Sequence, residues 1–162
     1  GQGPVTSLSV CPTNDTLIVS AGADEIVRMW DIRYDISMPC AILKGHTDRI
    51  SQLCWDGEGR LVSSSYDSTV RLWDGIGEKS VQVLHRSGSS AQSTLPVASS
   101  GCLFTSVGVS CLSAASFNGV SGTGNIDKRC WVATGCRDGT VNVWSGGGEE
   151  EQVSCSLSFV EE

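Results

Sequence analysis

The chain has 162 residues, with 11 Lys and Arg against 18 Asp and Glu, so its formal net charge is −7. Hydrophobic residues at 40% and charged residues at 18% are typical of a globular chain and exclude a disordered or fibrous one. The acidic balance disfavours direct binding to nucleic acid, because that binding needs clustered Lys and Arg. No window approaches the roughly 18 uninterrupted apolar residues of a membrane span, so we expect no membrane partner.

The eight cysteines never form a C-x-x-C pair, and no group of His, Cys or carboxylates has metal-ligand spacing. We therefore expect no metal and no cofactor. Most of the cysteines lie in apolar stretches, as buried free thiols do in a reducing compartment, which predicts a cytoplasmic or nuclear protein. The alternative is a disulfide-bonded secreted chain, which the acceptor pattern Asn14-Asp15-Thr16 would favour.

In chain order, the pattern predicts three groups of short strands. Each group has a first strand, a hairpin whose tight turn opens at an Asp and whose second strand ends in a Trp, and an outer strand. The first strands are Val5–Cys11, Ile50–Trp55 and Val109–Phe117; the hairpins end at Trp30, Trp73 and Trp144; the outer strands are Cys40–Leu43, Ser80–Leu84 and Gln152–Val160.

These groups are internal repeats. Residues 18–31 and 61–74 align without a gap at an offset of 43, and residues 132–145 follow 71 residues later. Four strands per 40 to 45 residues is typical of a β-propeller blade. With Gly45-His46 ahead of Trp73-Asp74, the chain resembles the WD-repeat family. The predicted fold class is all-β, a partial β-propeller of about three four-stranded antiparallel blades.

The repeats divide the chain into segments. Repeat 1 covers residues 1–44 and lacks its Gly-His pair, and repeat 2 covers 45–86. An insertion loop follows over 87–108, and repeat 3 covers 109–162 with a long loop at 118–128. Because three blades are fewer than a closed ring has, we expect a fragment with exposed blade edges, to be covered by further blades or a complementing subunit.

Ser63, His46 and Asp67 together have the residue types of a serine hydrolase triad, but no G-x-S-x-G elbow surrounds the serine. The pattern also recurs at the repeat period, which a catalytic site has no reason to do. The WD-repeat resemblance implies a structural network instead, in which a Trp binds a Ser or Thr, the hydroxyl binds a His, and the His binds an Asp. The candidate members are His46, Ser63, Asp67 and Trp73 in repeat 2, Ser20, Asp24 and Trp30 in repeat 1, and Thr134, Asp138 and Trp144 in repeat 3.

The resemblance implies a non-catalytic scaffold that binds other proteins, and we expect no enzyme; a serine hydrolase is the enzymatic alternative. Trp30-Asp31-Ile32-Arg33 is similar to the signature of WD-repeat substrate receptors of cullin-RING ubiquitin ligases, in which the arginine helps to dock the propeller on its adaptor. Arg33 can equally be a solvated charge. A third alternative is a subunit of a chromatin or nucleic-acid complex.

Overall fold

The computed structural model describes residues 3–56, 59–73, 81–83, 103–104, 108–120, 126–146 and 154–160. These residues form only strands and turns, which confirms the all-β prediction. The strands are β1 (Val5–Val10), β2 (Leu17–Gly22), β3 (Val27–Asp31), β4 (Ala41–Leu43), β5 (Ile50–Trp55), β6 (Leu61–Ser65), β7 (Thr69–Trp73), β8 (Val81–Val83), β9 (Leu103–Phe104), β10 (Val109–Val120), β11 (Ile126–Cys136), β12 (Thr140–Gly146) and β13 (Ser154–Val160). In this part of the chain there is no helix long and apolar enough to cross a membrane.

The strands make three antiparallel sheets, each in sequence order. Sheet 1 contains β1 to β4, and sheet 3 contains β10 to β13. Sheet 2 has five strands, β5 to β8 in order and β9, which also pairs with β7. Apart from β9, consecutive strands within each sheet are hydrogen-bonded neighbours, which is the arrangement of a propeller blade. The three predicted blades are therefore the three observed sheets.

The hairpin turns of the three sheets share one position with left-handed backbone geometry. The residue after the turn aspartate has positive φ in each case: Glu25 at 65°, Ser68 at 68° and Gly139 at 81°. Only glycine adopts this left-handed conformation without steric cost. Sheets 1 and 2 therefore carry a turn strain that sheet 3 avoids.

Two segments that were expected to be loops contain strand residues. Asn118 pairs with Lys128, and Val120 pairs with Ile126, so the hairpin of β10 and β11 extends through most of the predicted loop at 118–128. The extension satisfies backbone groups that a loop would expose to water, and β-branched residues suit its tip. Within the predicted insertion loop 87–108, β9 pairs with Thr69 and Val70; most of that loop lies outside the described residues.

The hydrophobic core lies between neighbouring sheets. One cluster joins residues of sheets 1 and 2, and the other joins residues of sheets 2 and 3. The strand β6 contributes to both, because Leu61 faces the first cluster and its neighbour Val62 faces the second. All five residues of β6 are buried, so sheet 2 is covered on both faces.

A hydroxyl group links each sheet to the next. Thr6 Oγ1 of sheet 1 donates to the Ile50 carbonyl of sheet 2 at 2.5 Å, and Ser51 Oγ of sheet 2 donates to the Val109 carbonyl of sheet 3 at 2.7 Å. Each hydroxyl lies at a register shift in the first strand of its sheet, where a bulge redirects a side chain. The same contact therefore repeats at both sheet boundaries.

A second contact repeats one residue further on. The Leu53 N–H of sheet 2 donates to Ser7 Oγ of sheet 1 at 2.9 Å, and the Leu112 N–H of sheet 3 donates to Gln52 Oε1 of sheet 2 at 3.0 Å. A side-chain acceptor in the first strand thus binds the first strand of the following sheet. Two directed hydrogen bonds at each boundary fix how adjacent sheets stack.

In the described part of the chain, no sheet packs against the face of sheet 1 that points away from sheet 2. Val5 and Leu8 are 61% and 65% exposed, whereas Ile50 and Leu53, which hold the same positions in sheet 2, are 0% and 4% exposed. The equivalent positions of the two sheets thus differ in burial, because sheet 1 covers the face of sheet 2 that carries Ile50 and Leu53.

Candidate functional site

A buried chain of hydrogen bonds crosses sheet 2. Trp73 Nε1–H donates to Ser63 Oγ at 2.9 Å, and His46 Nε2 lies 2.7 Å from the same oxygen. The other ring nitrogen, Nδ1, lies 2.8 Å from Asp67 Oδ2. Because the Asp67 carboxylate can only accept, Nδ1 carries the proton that binds it. In the neutral ring, Nε2 then accepts the Ser63 hydroxyl hydrogen, while the serine oxygen accepts the indole N–H. The structure thus brings together all four candidate residues of repeat 2.

The local sequence explains this arrangement. Asp67 opens the turn between β6 and β7, where its Oδ1 accepts the Thr69 N–H at 2.8 Å and the Thr69 hydroxyl at 2.6 Å. The Thr47 N–H donates to Oδ2 at 3.0 Å. Burial opposes ionisation of Asp67, but hydrogen bonds from His46 and Thr69, attraction to His46 and the Thr47 N–H outweigh it and hold the pKa of Asp67 well below its usual range.

Thr47 and Thr69 were not among the predicted members of this network. Thr69 Oγ1 also lies 3.1 Å from His46 Nδ1, so it belongs to the same network. A hydroxyl residue two positions after a turn Asp is a common partner of that carboxylate, and this was the available signal. Thr47 donates through its backbone, which no side-chain pattern reveals.

The geometry suits a structural role better than catalysis. Ser63 is 0% exposed, and the Trp73 indole donates to its oxygen, so an external substrate has no path to this hydroxyl in the folded chain. The network joins β6, β7 and the connection before β5, and it satisfies polar atoms that burial would otherwise leave costly. Within the described ranges, no three His, Cys, Asp or Glu side chains are grouped as they would be around a metal ion.

Sheet 1 carries a reduced form of the network. Trp30 Nε1–H donates to Ser20 Oγ at 2.8 Å, which repeats the contact between Trp73 and Ser63. Asp24 instead forms an ion pair with Arg28, with Nη1 and Oδ2 2.7 Å apart. An arginine four residues after the aspartate thus binds the turn carboxylate of sheet 1, whereas His46 binds the turn carboxylate of sheet 2.

Sheet 3 holds its three candidates at the corresponding positions. Thr134 is buried on β11, and Asp138 Oδ1 accepts the Thr140 N–H at 3.0 Å in the turn to β12. Trp144 lies on β12 with its backbone opposite Val132. The Trp144 side chain lies outside the described residues, so no indole contact is assigned in this sheet.

Arg33 lies in the exposed connection between β3 and β4. Its Nε and Nη2 donate to Asp31 Oδ1 at 3.0 Å and Oδ2 at 2.6 Å, and its backbone N–H donates to Oδ1 at 3.1 Å. The side-chain hydrogen bond from Arg33 lowers the pKa of Asp31 to about 2, and the same bond raises the pKa of Arg33. This fork-to-carboxylate geometry holds the guanidinium in one orientation at the surface.

Several residues close to Arg33 in the sequence have large, exposed apolar side chains. Ile32, Tyr34, Ile36 and Met38 are each more than half exposed, and the Arg33 guanidinium lies 5.5 Å from the centre of the Tyr34 ring. Four exposed apolar residues within seven positions are unusual for a surface connection of a globular sheet. We call residues 32–38 the apolar connection.

One known protein family matches the chain along most of its length. The model of the family described as "WD domain, G-beta repeat" matches residues 1–31, 37–74 and 96–145. The second match begins within the segment predicted as repeat 1, and the third begins within the predicted insertion loop 87–108. Each match covers the Asp turn of one sheet and the strand that carries Trp30, Trp73 or Trp144, so the family and the fold agree.

Curated relatives match shorter stretches. The chain is 36% identical to THO complex subunit 3 of Arabidopsis thaliana over 51% of its own length and 27% of that protein. It is 36% identical to cell division control protein 4 of Saccharomyces cerevisiae over 45% of its length and 9% of that protein. With F-box/WD repeat-containing protein sel-10 of Caenorhabditis elegans the identity is 37%, over 45% and 12% of the two chains. The chain thus spans about a quarter or less of these relatives.

Proposed function

The chain belongs to the WD40 repeat family, and from this premise we propose that it acts as a non-catalytic scaffold that binds other proteins within a multi-protein complex. The observation that carries the proposal is the apolar connection, residues 32–38, whose large side chains face water. Exposed apolar clusters rimmed by polar residues are typical of protein–protein contacts. Sheet 1, from which the connection extends, packs firmly on sheet 2, so a partner can dock there with little rearrangement.

Cross-linking mass spectrometry on complexes purified with the whole chain tests this proposal. We expect cross-links to partners to concentrate at residues 32–38, and the double variant Tyr34→Ser/Met38→Ser to lose them. The matched control is Ile42→Ser, which removes an exposed apolar side chain from the outer strand of sheet 1. Equal loss of cross-links in both variants would contradict a specific role for the apolar connection.

An absence of catalysis is part of the proposal. The burial of Ser63 and its hydrogen bond from Trp73 support it, because a hydrolase serine must meet its substrate. A fluorophosphonate probe should leave Ser63 unlabelled in the folded chain. Labelling of Ser63 that the His46→Ala variant abolishes would support a serine hydrolase instead.

A substrate receptor of a cullin-RING ubiquitin ligase is the second candidate, favoured by the fixed orientation of Arg33 within Trp30-Asp31-Ile32-Arg33. One of the relatives is named an F-box/WD repeat-containing protein, which fits this candidate. Pull-down of a purified ligase adaptor should weaken with Arg33→Ala. Arg60→Ala is the control, because Arg60 also pairs with an aspartate, Asp56, four residues away. Unchanged adaptor binding by Arg33→Ala would remove this candidate.

We propose a cytoplasmic or nuclear location, and we keep a chromatin or nucleic-acid complex as the third candidate. THO complex subunit 3 and a ribosome biogenesis protein of Chlamydomonas reinhardtii are among the proteins that the chain is similar to. The net charge of −7 opposes direct contact with nucleic acid. Salt-sensitive binding of the purified chain to DNA or RNA would favour this candidate over a pure protein scaffold.

A further inference from the structure

The backbone of the apolar connection is anchored at both ends by hydrogen bonds. The Ile32 N–H donates to the Thr16 carbonyl, in the turn between β1 and β2, at 2.9 Å. After the connection, the Cys40 N–H donates to the Met29 carbonyl of β3 at 2.8 Å. A fixed backbone lowers the entropic cost of binding, so a partner meets a surface of defined shape.

Hydrogen bonds within the connection decide what kind of segment can bind there. The Tyr34 N–H donates to the Asp31 carbonyl at 3.1 Å, and the Ser37 N–H donates to Asp35 Oδ1 at 2.9 Å. These backbone groups are therefore not available to pair with a strand of another protein. A partner has to be recognised by side chains, which is how the apolar face of an amphipathic helix binds.

The large apolar side chains of the connection occur at every second position. Ile32, Tyr34, Ile36 and Met38 are 52%, 70%, 62% and 76% exposed, and they make up half of the eight large apolar side chains that are exposed among the described residues. Two of them suit recognition, since the thioether of Met38 adapts to different apolar surfaces and the ring of Tyr34 offers a large contact area. Exposed apolar area is thus concentrated in this segment.

Carboxylates outnumber cations beside these side chains. Arg33 pairs with Asp31, with Nη2 and Oδ2 2.6 Å apart, and Asp15 in the turn between β1 and β2 also helps to raise the pKa of Arg33 by electrostatic attraction. Asp35 accepts hydrogen bonds from Ser37, and no Lys or Arg side chain of the described residues lies within ion-pair distance of it. Three carboxylates beside one guanidinium leave this surface with a formal excess of two negative charges.

Arginines at the opposite end of the strands do not compensate this charge. The guanidinium carbons of Arg49 and Arg137 lie 3.9 Å and 5.5 Å from the centre of the Tyr66 ring. Arg49 precedes β5 and Arg137 lies in the turn from β11 to β12, whereas the connection follows the other end of β3. A strand of five residues spans roughly 16 Å, which exceeds the Debye length of roughly 8 Å at physiological salt. The negative charge beside the connection therefore acts locally.

We propose that the apolar connection binds a basic amphipathic helix of a partner protein. Apolar side chains of the helix contact the four apolar side chains of the connection, and its Lys or Arg side chains pair with Asp15 and Asp35. A nucleic-acid backbone or an anionic membrane surface has the wrong charge to bind here. The proposal rests on the proposed function, since it names the chemistry of the partner that docks on the connection.

Fluorescence anisotropy with a labelled peptide tests the proposal on the whole chain. The peptide has about 14 residues, with Leu on one helical face and Lys on the other. One control peptide has Glu in place of Lys, and a second has the same Leu and Lys in an order that forms no apolar face. We expect saturable binding of the Leu-Lys peptide that weakens as salt rises from about 50 to about 300 mM. Both control peptides should bind at least about tenfold more weakly.

Apolar variants of the chain test the contact face. Tyr34→Ser/Met38→Ser should weaken binding of the Leu-Lys peptide about tenfold. Ile42→Ser, on the outer strand of sheet 1, is the matched control and should leave the affinity unchanged. Circular dichroism and the unfolding midpoint show whether each variant is folded. If the double variant unfolds, Ile36→Ser replaces it and should weaken binding about threefold.

Charge variants test the carboxylates. Asp15→Asn/Asp35→Asn should weaken binding about fivefold, because each asparagine keeps an acceptor oxygen but loses the charge. Asp48→Asn/Asp138→Asn removes two charges at the opposite end of the strands and should leave the affinity unchanged. Arg33→Gln removes the cation beside the carboxylates and should strengthen binding about twofold. This sign is opposite to the weaker adaptor binding expected of an Arg33 variant in a ligase receptor.

Several results would overturn the proposal. These are an absence of saturable binding of the Leu-Lys peptide, equal binding of the Glu peptide, and equal weakening by the two asparagine pairs. Tighter binding of DNA oligonucleotides or of phosphatidylserine vesicles at the connection would overturn it as well.

The outcome is separable from that of the proposed function. If Tyr34→Ser/Met38→Ser loses partner cross-links but the Leu-Lys peptide does not bind, the scaffold surface stands and the basic helix is wrong. If the peptide binds at the connection while partner cross-links are unchanged in the same variant, the proposed function is wrong and the helix site stands.

Discussion

Replacing His46 by alanine tests the buried network most directly. The histidine side chain is fully buried and binds Ser63 at 2.7 Å and Asp67 at 2.8 Å. Loss of a hydrogen bond to the charged Asp67 costs about 1.5 to 3 kcal/mol, and loss of the bond to Ser63 costs about 1 kcal/mol. Remaining contacts from Thr47 and Thr69 soften the first cost. We expect the free energy of unfolding to fall by about 3 kcal/mol in total.

Urea unfolding followed by circular dichroism at pH 7 measures this change. The midpoint should fall while the slope of free energy against urea stays constant, because the surface exposed on unfolding is the same. His46→Asn is the matched control, since its amide N–H reaches towards Asp67 in the place of Nδ1 but cannot reach Ser63. It should cost about 1 kcal/mol.

A loss below about 0.5 kcal/mol for His46→Ala would refute the reasoning, because surface substitutions alone produce changes of that size. Equal losses for the alanine and asparagine variants would refute the division between the two bonds. A double-mutant cycle with Asp67→Asn then measures the coupling between the two side chains, which we expect to exceed about 0.5 kcal/mol.

Three further predictions concern burial, turn geometry and ionisation. Leu53→Ala should lower the free energy of unfolding by about 3 kcal/mol. Leu8→Ala, at the equivalent position on the exposed face of sheet 1, should change it by less than about 0.5 kcal/mol. Similar losses of both variants in urea unfolding would contradict the assigned burial. Gly139→Ala should lower the thermal midpoint and cost about 1 kcal/mol because φ is positive there, while Ser68→Gly should not lower it. Folding lowers the pKa of Asp67, so the ionised carboxylate stabilises the folded chain above about pH 3.9, and this stabilisation is lost as the pH falls towards the folded-state pKa. Asp67→Asn should therefore lose less stability in acid than the unmodified chain. Parallel plots of unfolding free energy against pH for the two proteins would exclude this linkage.

The internal repeat is what made the fold predictable. The spacing of Trp30, Trp73 and Trp144 indicated three units, and the alternation around each indicated four strands, because side chains on a strand face opposite sides. The structure has these three antiparallel sheets. The extension of the hairpin through residues 118–120 and 126–128 was missed, since Ser and Gly in a sequence favour a loop unless strand pairing outweighs them.

The candidate sites were predictable only where their residues keep a fixed spacing. Ser63 and Trp73 are ten residues apart in a hairpin of set register, so their contact follows from local geometry. Arg49 and Arg137 are far apart in sequence, and only the stacking of sheets 2 and 3 brings both to Tyr66. This cluster does not recur along the chain, so the sequence has no pattern that would predict the contact.

The hydroxyl contacts from Thr6 and Ser51 have a consequence for how the chain unfolds. Since each sheet binds the next through its first strand, stability divides into a term for each sheet and a term for each boundary. In the described part of the chain, sheet 2 has a neighbouring sheet on each face, whereas sheet 1 has a neighbouring sheet on one face. Amide hydrogen exchange should therefore be slowest in β6 and faster in β2, although the two strands are equivalent within their repeats. Local opening of sheet 1 alone would expose Ile50 and Leu53, and would give sheet 2 the same uncovered apolar face that Val5 and Leu8 now present.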